Sequence, residues 1–463
     1  MENRGREHRP FGFRDKLGYL FGDFGNDFTF ILSSSFLMKF YTDVMGVSGA
    51  VVGIVMMVAR FVDAFTDVAM GRICDRSRQT PVGKFKPWIR RMCGPVAISS
   101  FLIYQSSLAG MSQTFKIIWL FVTYILWGSV FYTSINIPYG SMASAISPEP
   151  DHRQSLSTYR TMGGTLAGMA VGAGVPIIAY DTVGGNAVLN GPRFTLIAGI
   201  FSALAVICYL ICFWLTTERV KMDSDVQAHR NHSVGKMLGN ALRNRALISI
   251  IAASVVMLLA QLTMQSMANY VYPNFYGNTA AQSASTLVMV VAMAAAASTA
   301  RPLSKRFGKA EVSVVSNLLA AGICLLLYFL RPGNVWVYVA FSALSWLGLG
   351  VFSMVSWALI TDVIDYSELK NGIREDGSVY ALYSFARKLG QAAAAGVSGF
   401  LLTLIGYSQE TAFEPGVVNG IFDISTLVPA LGFGLLAAIL WFWYPLHKRQ
   451  VEENVEALKK KHE

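Results

Sequence analysis

Apolar residues along this chain fall into runs long enough to cross a bilayer, separated by short polar connections. The pattern predicts about twelve helical spans, at roughly 17–42, 48–73, 88–109, 115–146, 154–180, 194–216, 245–274, 280–303, 311–330, 334–363, 377–406 and 419–445. Each is judged against the ~20 residues that a spanning helix needs. Between the seventh and eighth spans the break rests on Asn274, Gly277 and Asn278 alone. One polar insertion, 217–242, is longer than the other connections and divides the chain into 1–216 and 243–463, with six spans in each half. Its mixed charges, with His229 and His232 among them, read as a solvated cytoplasmic linker rather than a metal site. The halves echo each other. Gly71-Arg72-Ile73-Cys74-Asp75-Arg76 follows the second span, and Arg301-Pro302-Leu303-Ser304-Lys305-Arg306-Phe307-Gly308 follows the eighth.

Composition agrees with a membrane class. Apolar residues make up 53% of the chain and charged residues 14%, against roughly a quarter charged in soluble proteins. The net charge of +10 does not imply nucleic acid, because the basic residues sit in short clusters between apolar runs. Those clusters alternate. Basic residues precede the first span, follow the second, flank the linker, follow the eighth and fill the C-terminal tail, whereas the opposite loops hold only Lys116, Arg193 and Arg331 at their edges. By the positive-inside rule both termini are expected in the cytoplasm. The polar, basic N-terminus with its long first apolar run does not read as a cleavable signal peptide. The five cysteines lie in or beside apolar runs and suggest neither a disulfide framework nor a metal cluster. The expectation is an all-α membrane protein with the major facilitator fold, two six-helix bundles around a central cavity.

A second pattern lies inside the spans. Asp63 and Asp67 are four apart, so a helix puts them on one face, with Arg60 a turn earlier. Ionisable groups at membrane depth are costly and usually mark a substrate or ion path. Counting ~1.5 Å per residue from the basic ends, Asp27, Asp63, Asn136 and Lys388 lie at about one level, with Arg160 somewhat shallower. Asp23, four before Asp27, is near enough to the interface to be simply solvated. Arg60 reads either as a structural partner of Asp63 or as a participant in coupling. A carboxylate pair on one face can hold one Na+ or share one proton, and filling it removes negative charge from a bistable bundle. Trp357 and Tyr383 supply π faces on which a sugar ring could stack, while Thr133 and Asn136 share a helix face three apart.

These residues resemble a known family. Lys16-Leu17-Gly18-Tyr19 through Asp27, Phe40-Tyr41-Thr42-Asp43, Ala59-Arg60 with Asp63–Asp67, Gly83-Lys84-Phe85-Lys86-Pro87-Trp88, Asn136-Ile137-Pro138-Tyr139, Asp362-Val363-Ile364-Asp365-Tyr366 and Ser384-Phe385-Ala386-Arg387-Lys388 are similar to the glycoside–pentoside–hexuronide:cation symporters. The resemblance runs from about 16 to 446, and the C-terminal half looks closest to the glucuronide carriers. By resemblance to the melibiose carrier, Asp63, Asp67 and Thr133 fall on its cation site, and Asp27 and Arg160 on the charged pair that grips the sugar. Tyr132 falls on a binding-site aromatic and Lys388 on an essential lysine. Asn136 stands where that carrier has a third carboxylate, Asn26 replaces a lysine, Gly140 a sugar-stacking tryptophan and Ser353 a second tryptophan, with Trp357 nearby. The resemblance makes Asp75, Arg76, Arg153, Asp362, Asp365 and Arg374 candidates for a cytoplasmic salt-bridge gate.

What the resemblance implies is a monomeric secondary symporter of a bacterial inner membrane. With Asn136 uncharged and Arg387 beside Lys388, an anionic glycoside such as a uronide and coupling to H+ rather than Na+ become the expectation. The alternatives are a Na+-coupled carrier of neutral oligosaccharides or pentosides, or a lysolipid-type transporter on the same fold. An enzyme is not expected, since the deep polar residues contain no nucleophile–base set, and neither is a cofactor beyond the coupling ion.

Overall fold

The computed structural model describes residues 9–220, 244–371 and 376–462. Among them run α1 Phe13–Asp43, α2 Gly49–Asp75, α3 Lys86–Ile103, α4 Gln113–Ile146, α5 Pro150–Ile178 and α6 Gly191–Leu215. After the linker come α7 Arg245–Phe275, α8 Thr279–Phe307, α9 Lys309–Leu330, α10 Val335–Asn371, α11 Asp376–Leu404, α12 Pro415–Trp443 and a terminal α13 Lys448–His462. Each expected span therefore lies on a helix, α1 to α12, among the described residues. Nine of these helices are long and apolar enough to cross a membrane by length and composition alone. The other three, α1, α3 and α11, carry several of the charges singled out above, including Asp23, Asp27, Arg387 and Lys388.

Local chemistry sets the ends. Ser112, Asn190, Asn244 and Asn278 accept hydrogen bonds from backbone N–H groups in the first turns of α4, α6, α7 and α8. The weak break after α7 is thus made by the Asn278 cap and by Gly277. Proline opens α5 and α12, where its missing N–H costs nothing.

Two features were not anticipated. Between α5 and α6 the strands β1 Tyr180–Val183 and β2 Asn186–Leu189 form a hairpin. Its turn, Gly184-Gly185, has positive φ at both positions, 58° and 87°, which only glycine adopts cheaply. The basic C-terminal tail forms the helix α13.

Chain contacts divide the described residues into two compact units. The first holds the described residues up to Val47, then Val58–Asp181, then those from Leu189 to the linker. The second holds Ser48–Met57, Thr182–Val188 and the described residues beyond the linker. Within the first, α1 lies chiefly against α5 and α6, and α3 against α6. In the second, α7 lies against α11 and α12, and α9 against α12. The same packing order recurs six helices later, as an internal repeat requires.

The three basic residues on the otherwise bare loops are all engaged. Lys116 is buried and donates to the carbonyls of Met45 (2.7 Å) and Ala109 (3.2 Å). Arg193 pairs with Asp181 at 2.6 Å. Arg331 pairs with Asp423 and donates to Asn419.

Candidate functional site

In the first unit the polar set assembles on α1, α2, α4, α5 and α6. Asp63 has both carboxylate oxygens engaged: Oδ2 faces Arg60 at 3.3 Å, and Oδ1 accepts from the Ser129 hydroxyl at 2.5 Å. One turn along, Asp67 accepts from the Thr133 hydroxyl at 3.0 Å. Two carboxylates four apart on α2 are thus met by two hydroxyls four apart on α4. A π-helical turn, Leu126–Tyr132, lies in α4 at this level, and the Thr133 hydroxyl also reaches back to the Gly128 carbonyl at 3.2 Å. Such turns insert one extra residue and re-aim the side chains around them. Arg60 lies over the Phe30 ring at 5.1 Å, so its charge rests against a π face as well as Asp63.

A second cluster is centred on α1. Asn26 is buried; its amide nitrogen donates to the Tyr132 hydroxyl (2.7 Å) and, at 3.4 Å, to Asn136 Oδ1. Its oxygen accepts from Tyr209 at 3.0 Å. Tyr132 stacks on Phe30 with 5.6 Å between ring centroids, which links this cluster to Arg60. Arg160, from α5, gives its Nε to Asp23 at 2.9 Å and lies over the Tyr139 ring at 5.3 Å. Its Nη1 is 3.8 Å from where a side-chain carbon at Gly140 would stand. Asp27 forms no ion pair among the described residues.

Asp23 is therefore not the solvated interfacial residue that its sequence position suggested. It is 7% exposed and holds the arginine that the resemblance paired with Asp27.

The second unit holds an aromatic group on α10 and α11. Trp357 is stacked on Tyr380 and edge-on to Tyr383, with centroids 6.0 and 5.1 Å apart. Buried Tyr383 accepts a hydrogen bond from Ser254 at 2.8 Å, which fixes its ring. The Arg387 guanidinium lies 5.7 Å from the Trp357 centroid and 5.8 Å from that of Tyr383. Lys388 follows on α11 and is half-buried.

The gate candidates differ in setting. Asp75 and Arg76 are exposed at the end of α2, where the Asp75 carbonyl receives Lys84 Nζ at 2.8 Å. Arg153 is exposed and donates to the Pro148 carbonyl at 3.1 Å. Asp362 is buried and pairs with Lys309 at 2.6 Å. Asp365 is half-buried on α10, and Arg374 lies outside the described residues.

The sequence from 18 to 448 matches the family of MFS/sugar transport proteins. The chain belongs to that family. The glucuronide carrier protein homolog of Escherichia coli (strain K12) is 30% identical over 455 residues, 97% of this chain and 96% of the relative. The isoprimeverose transporter of Lactiplantibacillus pentosus is 31% identical over 432 residues, 93% and 88% of the two chains. A solved bacterial homologue of the human lysosomal transporter Spinster superposes with a TM-score of 0.66 at 10% identity, covering 95% of this chain and 97% of that one. That last likeness shows the fold alone. This MFS/sugar transport protein is a multi-pass membrane transporter with the major facilitator fold and not an enzyme, and its relatives match the resemblance to glycoside–pentoside–hexuronide symporters read from the motifs.

Two residues with evident chemistry escaped the sequence reading besides Asp23. Ser129 is one; its spacing of four from Thr133, equal to that between Asp63 and Asp67, was the available signal. Tyr209 is the other, a lone tyrosine in an apolar run with nothing to mark it.

The start of the linker also differs from the solvated segment expected at 217. Glu218 is buried and accepts from the backbone N–H groups of Lys84 (2.6 Å), Phe85 (3.0 Å) and Lys86 (2.7 Å) at the start of α3. Burial raises its carboxyl above the ordinary glutamate value, and the three donors oppose that rise. Arg219 pairs with buried Asp15 at 2.8 Å and donates to the carbonyls of Arg9, Pro10, Ile146 and Thr217. These two residues tie the starts of α1 and α3 to the ends of α4 and α6.

Proposed function

We propose that this protein is a secondary symporter that imports an anionic glycoside, a glucuronide or a related uronide, together with H+, across a bacterial inner membrane with both termini cytoplasmic. One observation carries the coupling half of this reading, the ladder in which Asp63 and Asp67 are met by Ser129 and Thr133. It offers two carboxylates and two hydroxyls. Asn136 instead bonds Asn26 and adds no charge, so the set lacks the third carboxylate that the melibiose carrier places at this position. Proton binding needs only one carboxylate and no coordination shell.

The substrate half rests on Arg160, Arg387 and Lys388. Guanidinium groups suit carboxylates through paired N–H donors, and the Trp357 and Tyr383 faces suit the C–H side of a sugar ring. Asn26, Tyr132 and Asp27 would take hydroxyls. A gate formed by Asp75, Arg76, Arg153, Asp362, Asp365 and Arg374 belongs to the same proposal, as does function as a monomer. The isoprimeverose transporter among the relatives favours a second reading, a neutral pentose-containing glycoside.

The deciding experiment reconstitutes the protein in liposomes and imposes a pH gradient or a Na+ gradient separately. Uptake of 4-nitrophenyl β-D-glucuronide driven by the pH gradient is expected. Uptake driven by neither gradient overturns symport, and uptake of the matching glucoside or of isoprimeverose without any glucuronide overturns the anionic substrate.

A further inference from the structure

Asp23 has no place in the cation ladder and no role carried over by the resemblance, yet its carboxylate is buried and paired with Arg160. Three observations define it. Its side chain is 10% exposed while that of Arg160 is 39% exposed, so the pair is anchored on the α1 side and open on the α5 side. The contact is to Nε rather than to the terminal nitrogens, which leaves the Nη end of the guanidinium directed away from Asp23. Gly164, one turn after Arg160 on α5, leaves a gap that both α1 carboxylates face. A side-chain carbon there would stand 2.6 Å from Asp27 Oδ2 and 3.0 Å from Asp23 Oδ2.

We propose that Asp23 is a specificity-determining positioning residue: it holds Arg160 by Nε, aims the Nη end at the substrate, and by its own charge sets how strongly Arg160 prefers an anionic to a neutral glycoside. The inference rests on Arg160 being a substrate-binding residue, as proposed above. Its physical basis is that a guanidinium has two usable edges. A carboxylate on the Nε edge fixes the plane and rotation of the group, which a flexible side chain otherwise leaves unset. The same carboxylate cancels much of the field that an incoming anion would feel at a few ångströms. Arg160 beside Asp23 is therefore a partly neutralised cation, and its pull on an anion is weaker than that of a lone guanidinium. Discrimination between a uronide and its neutral counterpart is tuned from a residue that need touch neither.

The test compares 4-nitrophenyl β-D-glucuronide with 4-nitrophenyl β-D-glucoside, which differ only in a carboxylate against a hydroxymethyl group. Uptake constants for both are measured in wild type, Asp23→Asn and Asp23→Glu. Asparagine keeps an oxygen for the Nε–H but removes the charge. The ratio of KM for glucoside to KM for glucuronide should then rise by about five- to ten-fold, the size expected for one partly screened charge pair. Glutamate should return the ratio to the wild-type value. Should Asp23→Asn fail to insert, binding of both glycosides to purified Gly164→Ala supplies the second measurement. The added methyl crowds Asp27 as well as Asp23, so it supports the role of Asp23 only if the ratio rises as in Asp23→Asn and does not rise in Asp27→Asn. An unchanged ratio in Asp23→Asn or Gly164→Ala, with wild-type uptake intact, overturns the role of Asp23 and leaves the transport reading standing. Wild-type protein that takes up neither glycoside overturns both.

Discussion

At the scale of single residues, an ion pair in this protein is chosen by one helical turn. Asp23 and Asp27 share a face of α1, and a rise of ~6 Å between them decides which of them Arg160 reaches. The direct pair is with Asp23, and Asp27 interacts with Arg160 only at longer range. Ser129 is a comparable case, since a hydroxyl on a charged acceptor contributes about 1.5–3 kcal/mol. Ser129→Ala removes a donor that favours the charged carboxylate, so the apparent H+ affinity should strengthen by roughly ten-fold or more, with Ser129→Thr close to wild type. The measurement is uptake rate against external pH and against Na+. Asp67→Asn should abolish accumulation against a gradient while exchange of labelled for unlabelled substrate continues, because exchange needs no net movement of the ion. Full accumulation by Asp67→Asn would remove it from the coupling site. Arg160→Lys keeps the charge but loses the planar fork, and KM for an anionic glycoside should rise by ~10-fold or more.

Elements are held by contacts that lie outside their own sequence. The start of α3 has no side-chain cap of its own; Glu218, from beyond α6, bonds three of its backbone donors. Gly83, with φ of 123°, lets the chain pass close over that carboxylate. Removing the carboxylate leaves buried donors unsatisfied at about 1–3 kcal/mol each. Glu218→Ala should accordingly lower the thermal midpoint of the detergent-purified protein by several degrees, and Glu218→Gln by less, as followed by tryptophan fluorescence. The pH dependence has a fixed sign. Because the folded value lies above the ordinary 4.5, the folded state binds the proton more tightly than the unfolded state. This group therefore adds stability as pH falls through the folded value toward 4.5, and that gain is lost as pH rises again. Glu218→Gln should flatten this part of the profile.

For the whole molecule, charge placement was the most legible feature. Of the three basic residues that break the positive-inside pattern, Arg193 and Arg331 are paired with acidic side chains, while the Lys116 ammonium donates to backbone carbonyls and keeps its charge. The expected orientation is checked by labelling. The native cysteines among the described residues are buried, and cysteine introduced at exposed Asn186 in the hairpin should react with an impermeant thiol reagent in intact cells. Cysteine at exposed Gln79, between α2 and α3, should react only after permeabilisation. The reverse pattern would invert the topology.

By itself the sequence determined the helical, membrane-spanning class and roughly where the helices of the described residues lie, because a long apolar run that does not alternate satisfies its backbone in a membrane as a helix. It also determined the family, and the face that Asp63 and Asp67 share, because both are consequences of order along one helix. The tertiary structure alone decided what stands opposite each face. Helical spacing states which residues travel together but not how far a neighbouring helix is slid or turned against them. The slide of α5 on α1 gave Arg160 to Asp23, and the packing of α4 on α2, with a π turn at that level, brought Ser129 to Asp63. The return of the chain after α6 converted two linker charges, Glu218 and Arg219, into buried ties. Each depends on separations of a few ångströms between segments far apart in sequence, which no periodicity along the chain can encode.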